Sequence, residues 1–410
     1  MSIWKQNTLV KKPKGSNTIV ENLARVRGIE NLEEWLHPTS KNLHDPYSLK
    51  NIEELTDIVI ESIHKGEKIN IVGDIDSDGV NSCAVMYNYL KNFVEDDLIS
   101  YSHSQRSKGH GVGTVLPDLK TESKPTISKI PEDTDLVIIV DSSSNDLIDT
   151  KRLVEQIECK VVIIDHHEME LDNVHATVVN CQDGIYPNTQ LSGSAMAWKV
   201  CKVIDEKLGT DLADDYLDLA SVGLIGDVMS VEPMENRYII NKGLSNIKNI
   251  GLKSLFKAMK TDLSNGISVT DISYKISPAI SSCTRYEVIE NVLELLTTED
   301  KSKADELSKS IVKLNEKRKK EESDIFESIL PFVDNSSGIA ILISNEIESG
   351  FRGLIATKIS QHFRKPAFVL KPFESNGKVI EYSGSARSYG KIPLKTLCNK
   401  SGLFTFATGR

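Results

Sequence analysis

The sequence predicts an α/β protein: a mostly parallel sheet joined by a long helix to a smaller α/β domain. Short apolar runs rich in Val and Ile, such as "DLVIIV" and "KVVIID", have the length and composition of buried strands. Amphipathic helical patterns lie near these runs, and buried strands that alternate with helices favour parallel pairing. A charged stretch without Pro or Gly comes later, and further strand-like segments follow it.

A helical N-terminal arm precedes the predicted sheet, because residues 20–64 alternate helical patterns with short turns. The apolar runs after it predict four strands, at 69–72, 135–140, 160–165 and 176–180. Neighbouring amphipathic patterns predict helices at 81–93, 148–157 and 193–207.

A single long helix is predicted over 297–330, where apolar residues recur at helical spacing in a charged segment. Its "EKRKKEE" run indicates a solvated face, as most charge runs do. The segments "SGIAILIS", "KPAFVLK" and "VIEYSGSARS" predict strands of the smaller domain. The chain is thereby divided into an N-terminal arm (1–66), a main domain (67–295), a connecting helix (296–335) and a smaller domain (336–410).

Composition restricts the classes of protein to consider. The 410 residues suffice for two or three domains, and 39% apolar with 26% charged residues is ordinary for a globular protein. The sequence has no run of about 18 apolar residues to span a membrane, and its basic N-terminus lacks the apolar core of a secretory signal. Six scattered cysteines without a C-x-x-C pair indicate reduced thiols and a cytoplasmic location. The net charge of −10 excludes a uniformly basic surface but is compatible with one basic groove.

Acidic residues stand at the carboxyl ends of three predicted strands. Asp74 follows "INIVG", Asp141 ends "DLVIIVD", and Asp165 ends "KVVIID" before His166 and His167. In open α/β sheets, ligands bind at this edge. The sequence therefore predicts that these side chains meet in one crevice.

Three further acids join the prediction. Asp76 and Asp78 alternate with Asp74, and Asp227 follows a nearly uncharged helical run in "SVGLIGDVMSV". A lone Asp after a strand is most often a turn or capping residue, and a lone His pair is more often at the surface. Carboxylates gathered in a buried crevice, however, are costly unless a cation compensates them. Oxygen and imidazole ligands together favour manganese or magnesium, and two such ions are a standard device for hydrolysing phosphodiesters.

Four ordered motifs carry a resemblance to a known family. "GDIDSDGVNS", "VDSSS", "DHHE" and "GLIGDVMSV" resemble the motifs of the DHH phosphoesterase superfamily. The first motif is more similar to the RecJ branch (G-D-x-D-x-D-G) than to the NrnA-like phosphodiesterases. "RGIENLEEWLHPTSKNLHDPYSLKNIEE" resembles the RecJ N-terminal arm, and "GLIATKISQHFRKPAFVL" with "GSARS" resembles its DHH-associated domain.

The resemblance implies a role for each site residue. The implied metal ligands are Asp74, Asp76, Asp78, Asp141, His166 and Asp227. Among them, Asp76 would bind one ion, Asp141 would bridge, and the other ion would be bound by Asp78, His166 and Asp227. His167 would contact the scissile phosphate or orient the attacking water, and Asp165 would support the histidines. The implied phosphate-binding residues are Arg106, Arg285, Ser385 and Arg387.

A RecJ-like protein would be a manganese- or magnesium-dependent exonuclease that degrades single-stranded DNA from 5′ to 3′ with two metal ions. Two alternatives stay open. One is an NrnA-like phosphodiesterase of short oligonucleotides or cyclic dinucleotides, and the other is a non-catalytic DHH relative that serves as a replication scaffold. The intact acids and histidines favour an enzyme over the scaffold.

Three features depart from the family pattern. "SSCTR" lacks the family's N-A-x-G before Arg285, and Arg410 stands where the histidine of a G-G-H motif is expected. Either that histidine is replaced or the DHH-associated domain is incomplete at residue 410. No OB-fold segment follows within the 410 residues, which predicts weaker single-strand binding or a helper such as a single-strand-binding protein or a helicase.

Overall fold

The computed structural model describes residues 18–103, 130–261, 266–375, 377–405 and 407. Its larger sheet consists of β1 (Ile69–Gly73), β2 (Ile99–His103), β3 (Leu136–Val140), β4 (Lys160–Asp165) and β5 (Thr177–Asn180). The strand order is β2-β1-β3-β4-β5, and every neighbouring pair is parallel, so the predicted parallel sheet is confirmed. Strand β2 was not predicted from the sequence, because "ISYSH" is short and lies at a half-exposed edge where no apolar run is needed.

Helices pack on both faces of this sheet and form the N-terminal arm. Those up to residue 226 are α1 (Ile19–Val26), α2 (Leu32–Leu36), α3 (Ile52–Lys65), α4 (Ser77–Leu90), α5 (Leu147–Ile157), α6 (Gly193–Leu208) and α7 (Leu217–Gly226). Those between residues 234 and 297 are α8 (Met234–Ser245), α9 (Ile250–Ala258), α10 (Val269–Asp271), α11 (Ser277–Arg285) and α12 (Glu290–Thr297). None of the helices described in the structure is long and apolar enough to cross a bilayer.

Alternate side chains of the central strands enter two separate cores. Leu136 and Ile138 face the large core, which the helices α4, α6 and α7 complete. Val137 and Ile139 face the opposite core beneath α5. This alternation is the ordinary geometry of a strand, and burial on both faces explains why the strands read as uninterrupted apolar runs.

The strand register lines up the acidic residues that follow the strands. Gly73 of β1 is opposite Val140 of β3, and Val140 is opposite Ile164 of β4. The next residue on each strand is an aspartate, so three carboxylates stand in a row across three adjacent strands. Because β1 lies between β2 and β3, the chain changes direction here, and such switch points are where α/β sheets form binding crevices.

The connecting helix is α13 (Lys301–Ile329), which is shorter at its start than the predicted 297–330. Asp300 is the N-cap of this helix, because its side chain accepts hydrogen bonds from the backbone N–H groups of Ser302 (2.7 Å) and Lys303 (3.2 Å). Buried residues of α13 recur at alternating spacings of four and three, at Ala304, Ser308, Ile311, Asn315 and Arg318. One stripe of a mostly solvated helix therefore packs against the protein.

The smaller domain has its own sheet and core. Its elements are β6 (Ala340–Ile343), α14 (Ser349–Phe363), β7 (Ala367–Ser375), β8 (Lys378–Arg387) and α15 (Leu394–Lys400). The strand order is β6-β7-β8, with β6 parallel and β8 antiparallel to β7. Ile355, Ile359 and Val369 lie in its separate core. The domain boundaries drawn from the sequence stay a prediction.

The N-terminal arm is attached to the main domain through a buried ion pair. Lys199 Nζ lies 2.5 Å from Glu235 Oε1, and these side chains are 3% and 0% exposed. The arm supplies backbone groups to both, since His44 N–H donates to Glu235 (3.0 Å) and His44 C=O accepts from Lys199 (2.7 Å). Nearby, Arg237 Nε donates to the carbonyl of Trp35 at 2.7 Å. Backbone groups of the arm thus complete the hydrogen bonding of a buried ion pair in the main domain.

Candidate metal centre

The bridging candidate, Asp141, leaves strand β3 in an unusual backbone conformation. Its φ is +64°, a left-handed geometry that Asp tolerates better than most residues. Its N–H donates to the carbonyl of Ile164 at 2.8 Å, which ties it to β4. Burial, followed by the charges of Asp78 and Asp76, raises the pKa of Asp141 well above its usual range. The carboxylate therefore lies where a positive charge would be most stabilising.

The loop after β1 directs two more carboxylates into the site. Asp76 is the N-cap of α4, and its Oδ1 accepts hydrogen bonds from the N–H groups of Asp78 (2.9 Å) and Gly79 (3.0 Å). Burial and the neighbouring charges of Asp74 and Asp78 raise the pKa of Asp76 to about 6. Asp74 itself is 2% exposed. Asp76 thus caps α4, and the three alternating aspartates concentrate negative charge beside the helix start.

The N-terminus of α6 holds Asp78 in place. Gly193 N–H donates to Asp78 Oδ2 at 2.6 Å, and both the N–H (3.1 Å) and the hydroxyl (2.5 Å) of Ser194 donate to Oδ1. A helix N-terminus favours a carboxylate through its unpaired N–H groups and its dipole. Gly193 and Ser194 were not predicted as site residues, although the "SGSA" start of an apolar helix is a signal for such a terminus.

Two glycines allow helices to approach the carboxylates closely. A Cβ at Gly193 of α6 would lie 2.4 Å from Asp141 Oδ1. A Cβ at Gly223 of α7 would lie 2.3 Å from Asp78 Oδ1. Neither position has room for a side chain, so the helices and the strand ends enclose the acids from both sides.

His166 lies at the centre of the group and is 2% exposed. Its Nε2 is 3.1 Å from Asp141 Oδ1, 3.5 Å from Asp227 Oδ2 and 3.9 Å from Asp78 Oδ2. The residues from β3, β4, α4 and the end of α7 therefore converge on one imidazole nitrogen, as the sequence predicted for the crevice.

His167 is oriented by Asp165. Its Nδ1 lies 2.8 Å from Asp165 Oδ1, which also accepts the backbone N–H groups of His166 (2.7 Å) and His167 (3.2 Å). Burial alone would raise the pKa of Asp165, but these bonds and the nearby imidazoles hold it below its usual value. Asp165 is thus ionised and accepts the Nδ1 proton, and the ring presents Nε2 to any other partner. The His167 side chain is 45% exposed.

Two amide side chains hold the backbone of the histidine pair. Neither was predicted as a site residue from the sequence. Asn180 Nδ2 donates to the carbonyl of His167 at 3.0 Å, and Gln182 Nε2 donates to that of His166 at 3.2 Å. Asn180 ends β5, the strand next to β4, and Gln182 follows it, so only the sheet order reveals their role.

The side chains fit divalent metal ions. Three overlapping sets have all their potential ligand atoms within 4.8 Å of one another: Asp74, Asp76 and Asp141; Asp78, His166 and Asp227; and Asp141, His166 and His167. Asp141 belongs to two sets, and its buried Oδ1 has no hydrogen-bond partner among the described residues. A group rich in carboxylates with imidazole matches the preferences of manganese and magnesium.

The predicted phosphate-binding residues gather at the start of α14. A guanidinium nitrogen of Arg285 donates to the carbonyl of Gly350. A Cβ at Gly353, three residues later, would lie 2.8 Å from Arg387 Nη2 and 3.8 Å from Ser385 Oγ. Three of the four predicted residues are therefore neighbours, and the fourth, Arg106, lies outside the described residues.

A family model described as "DHH family, N-terminal domain" matches residues 68–224, the segment that carries the strand-end aspartates and both histidines. This segment of the chain is similar to the DHH family. The motif order that suggested this family is thereby confirmed, and the fold agrees with solved DHH structures.

Similar proteins extend the likeness beyond the DHH domain. The SPbeta prophage-derived protein YorK of Bacillus subtilis (strain 168) is 29% identical over 96% of this chain and 69% of its own length. The single-stranded-DNA-specific exonuclease RecJ of the same bacterium is 29% identical over 90% of this chain. The structure of Thermus thermophilus RecJ with Mn2+ superposes with a TM-score of 0.74 at 23% identity over 94% of this chain. The chain spans 46% of the Bacillus RecJ and 54% of the Thermus chain, about half of each.

The raised pKa values in the candidate metal centre predict a pH-dependent response to metal. Because the folded-state pKa values of Asp76 and Asp141 exceed the ordinary value of about 4, the metal-free protein binds extra protons when folded. Their contribution to stability is therefore present below about pH 4, and the part that comes from Asp76 is lost as pH rises through its pKa of about 6. Divalent ions bind the ionised carboxylates and should restore it.

Thermal melts with EDTA or manganese at about pH 5 and about pH 7.5 test this expectation. Saturation at 100 times Kd stabilises by about 2.7 kcal/mol. We expect the metal-induced rise in Tm to be clearly larger at the higher pH. An equal rise at both values would contradict the assignment of these acids as ligands.

Proposed function

We propose that this protein is a manganese- or magnesium-dependent exonuclease of single-stranded DNA that hydrolyses phosphodiester bonds with two metal ions, from 5′ to 3′. The observation that carries the proposal is the row of aspartates at three adjacent strand ends, completed by His166 and Asp227. The RecJ relatives, named as single-stranded-DNA-specific exonucleases, support the substrate and the metals.

Some residues of the site would bind the ions, and others would contact the substrate. Ions held by the three ligand sets would supply Lewis acidity for activating water and for neutralising charge on the phosphate. His167, fixed by Asp165 and half exposed, is positioned to hydrogen-bond the scissile phosphate or to orient water. Arg285, Ser385 and Arg387 would grip flanking phosphates from the smaller domain's side.

A contact between the two domains supports a cleft between the candidate metal ligands and the proposed phosphate-binding residues. Lys395 of α15 in the smaller domain lies 3.8 Å from Glu168, the residue after the histidine pair. This exposed pair stabilises little. It nevertheless brings the smaller domain alongside the metal ligands, as a substrate clamp would require.

The direct test is hydrolysis of end-labelled single strands with manganese, with magnesium and with EDTA. Strands labelled at the 5′ or 3′ end distinguish the two directions of degradation. A dinucleotide and a cyclic dinucleotide, assayed in parallel, test the NrnA-like alternative. Faster hydrolysis of the small substrates, or activity in EDTA, would refute the proposal.

The two histidines should differ in their effects. His167→Ala is expected to lower turnover more than metal affinity, whereas His166→Ala should weaken metal binding as well. The reason is that His166 Nε2 is within 3.9 Å of three carboxylates, while His167 is bonded to Asp165. Calorimetric titration with manganese measures both affinities. Since His167 also belongs to one ligand set, equal losses of affinity would show that it is a ligand.

Arg387→Ala should raise KM for single strands and reduce the salt dependence of binding by about one unit, because one phosphate contact is lost. Metal affinity and hydrolysis of a small activated phosphodiester should be spared. The matched control is Lys378→Ala, which removes one exposed positive charge at the other end of β8. Unchanged affinity and salt dependence in Arg387→Ala, or an equal effect in the control, would rule out the smaller domain as the clamp.

A further inference from the structure

Helix α7 ends in a hydrogen-bonded turn directly after the ligand candidate Asp227. The N–H of Val228 donates to the carbonyl of Ile225 at 3.1 Å, and the N–H of Met229 donates to that of Leu224 at 3.3 Å. These two bonds define a Schellman motif, in which the residue at the position of Val228 adopts a left-handed conformation. Val228 has a φ of +60°.

Valine is an unfavourable residue for this position. A left-handed backbone strains any L-residue with a Cβ, and β-branched residues most of all. Other helices of the chain end in glycine, as at Gly66 after α3 and Gly209 after α6, or in an unbranched residue, as at Glu158 after α5 and Arg364 after α14. Among the described non-glycine residues with positive φ, Val228 is the single β-branched one. Nor does burial offset the strain, because Val228 is 86% exposed.

Val228 directly follows the candidate ligand Asp227, and the turn is held by contacts on both sides of this exposed residue. On one side, Asp227 Oδ2 lies 3.5 Å from His166 Nε2. On the other, Met229 packs against the large core, and the carbonyl of Ser230 accepts a hydrogen bond from Asn236 Nδ2 at 2.8 Å. Two methyl groups are therefore exposed to solvent one residue from a candidate metal ligand.

We propose that Val228 is a substrate-binding residue whose methyl groups contact the sugar and base of the nucleotide next to the scissile phosphate. The inference rests on the proposed function and deepens it. A bare phosphate needs no apolar contact, whereas a nucleoside offers apolar ring faces to any base sequence. The strained backbone is then tolerated because the side chain contributes to binding of the strand and not to the stability of the fold.

The test compares Val228→Gly with the wild-type full chain. Affinity for a fluorescein-labelled oligothymidylate is measured by anisotropy in EDTA, KM for the same strand in manganese, and Tm by thermal melting. We expect the variant to have an equal or higher Tm, because glycine relieves the strain. We also expect binding to weaken and KM to rise about tenfold, the equivalent of 1.4 kcal/mol.

A purely structural role would leave affinity unchanged or lower Tm and affinity together, and either result would overturn the proposal. Val228→Asn, which tolerates the left-handed backbone but lacks methyl groups, should behave like the glycine variant. The matched control is Val174→Gly on another loop, where the valine is 78% exposed, and an equal loss there would also overturn it. If the wild type binds the strand without hydrolysing it, the proposed nuclease function fails while the affinity comparison still decides the role of Val228.

Discussion

Asp141→Asn should reduce hydrolysis of single strands by at least about a hundredfold, the scale on which metal-site groups act. Asp141 belongs to two of the three candidate ligand sets, so the loss of its charge should weaken both of the proposed ion sites. Asparagine is preferable to alanine because it tolerates the φ of +64° and keeps the shape of the side chain. Alanine should be equally inactive. The rate at saturating manganese is the measurement.

The same variant should remain folded. In the metal-free protein the charge of Asp141 is unfavourable, as its raised pKa indicates, so its removal should leave Tm unchanged or higher near neutral pH. The stabilisation by manganese should be largely lost. Asp172→Asn, at a site 83% exposed, is the matched control and should keep full activity. A tenth of the wild-type rate in Asp141→Asn would refute the bridging role.

Glu235→Gln should lower the free energy of unfolding by about 3–5 kcal/mol. The substitution leaves the ammonium of Lys199 buried without its counter-charge. Burial already lowers the pKa of Lys199, and the Glu235 charge is the chief influence that opposes this effect. The ammonium would keep its hydrogen bond to the carbonyl of His44 and its contact with the ring of Tyr186, neither of which carries a negative charge. Urea denaturation at neutral pH measures the loss.

The control for this prediction is Glu155→Gln on α5, which removes an exposed carboxylate 3.6 Å from Lys151. Because exposed ion pairs contribute little, the free energy of unfolding should change by less than about 1 kcal/mol. If Glu235→Gln changed stability as little as Glu155→Gln, the arm would not depend on the buried pair.

The sequence predicted the parts of the site that local patterns encode. An apolar run followed by Asp74, Asp141 or Asp165 specifies both a buried strand and the residue that leaves it. Parallel pairing then brings the three carboxylates to one edge. The DHH motifs identified the histidines in the same way, because His166 and His167 directly follow β4.

Other parts depend on contacts between distant segments, and no local pattern reveals them. Asp78 and Gly193 are 115 residues apart, so their hydrogen bond becomes visible only when α6 packs against the strand ends. Lys199 and Glu235 each look like surface residues in the sequence, yet both are buried with the arm. The left-handed backbone of Val228 also escapes prediction, because valine is the residue least expected to adopt it.

Because one stripe of α13 is buried, this helix sets the rotation of the segment that follows it as well as the distance of that segment from the main domain. With 29 residues and a rise of 1.5 Å each, α13 is roughly 43 Å long. Inserting one residue would turn everything after it by about 100°, which would swing Arg387 around the helix axis. Inserting seven would lengthen the helix by roughly 10 Å but leave the facing sides nearly in phase. Changes in the length of α13 therefore act on the proposed cleft chiefly as rotations, and the phase of the helix determines whether Arg387 faces the candidate metal ligands.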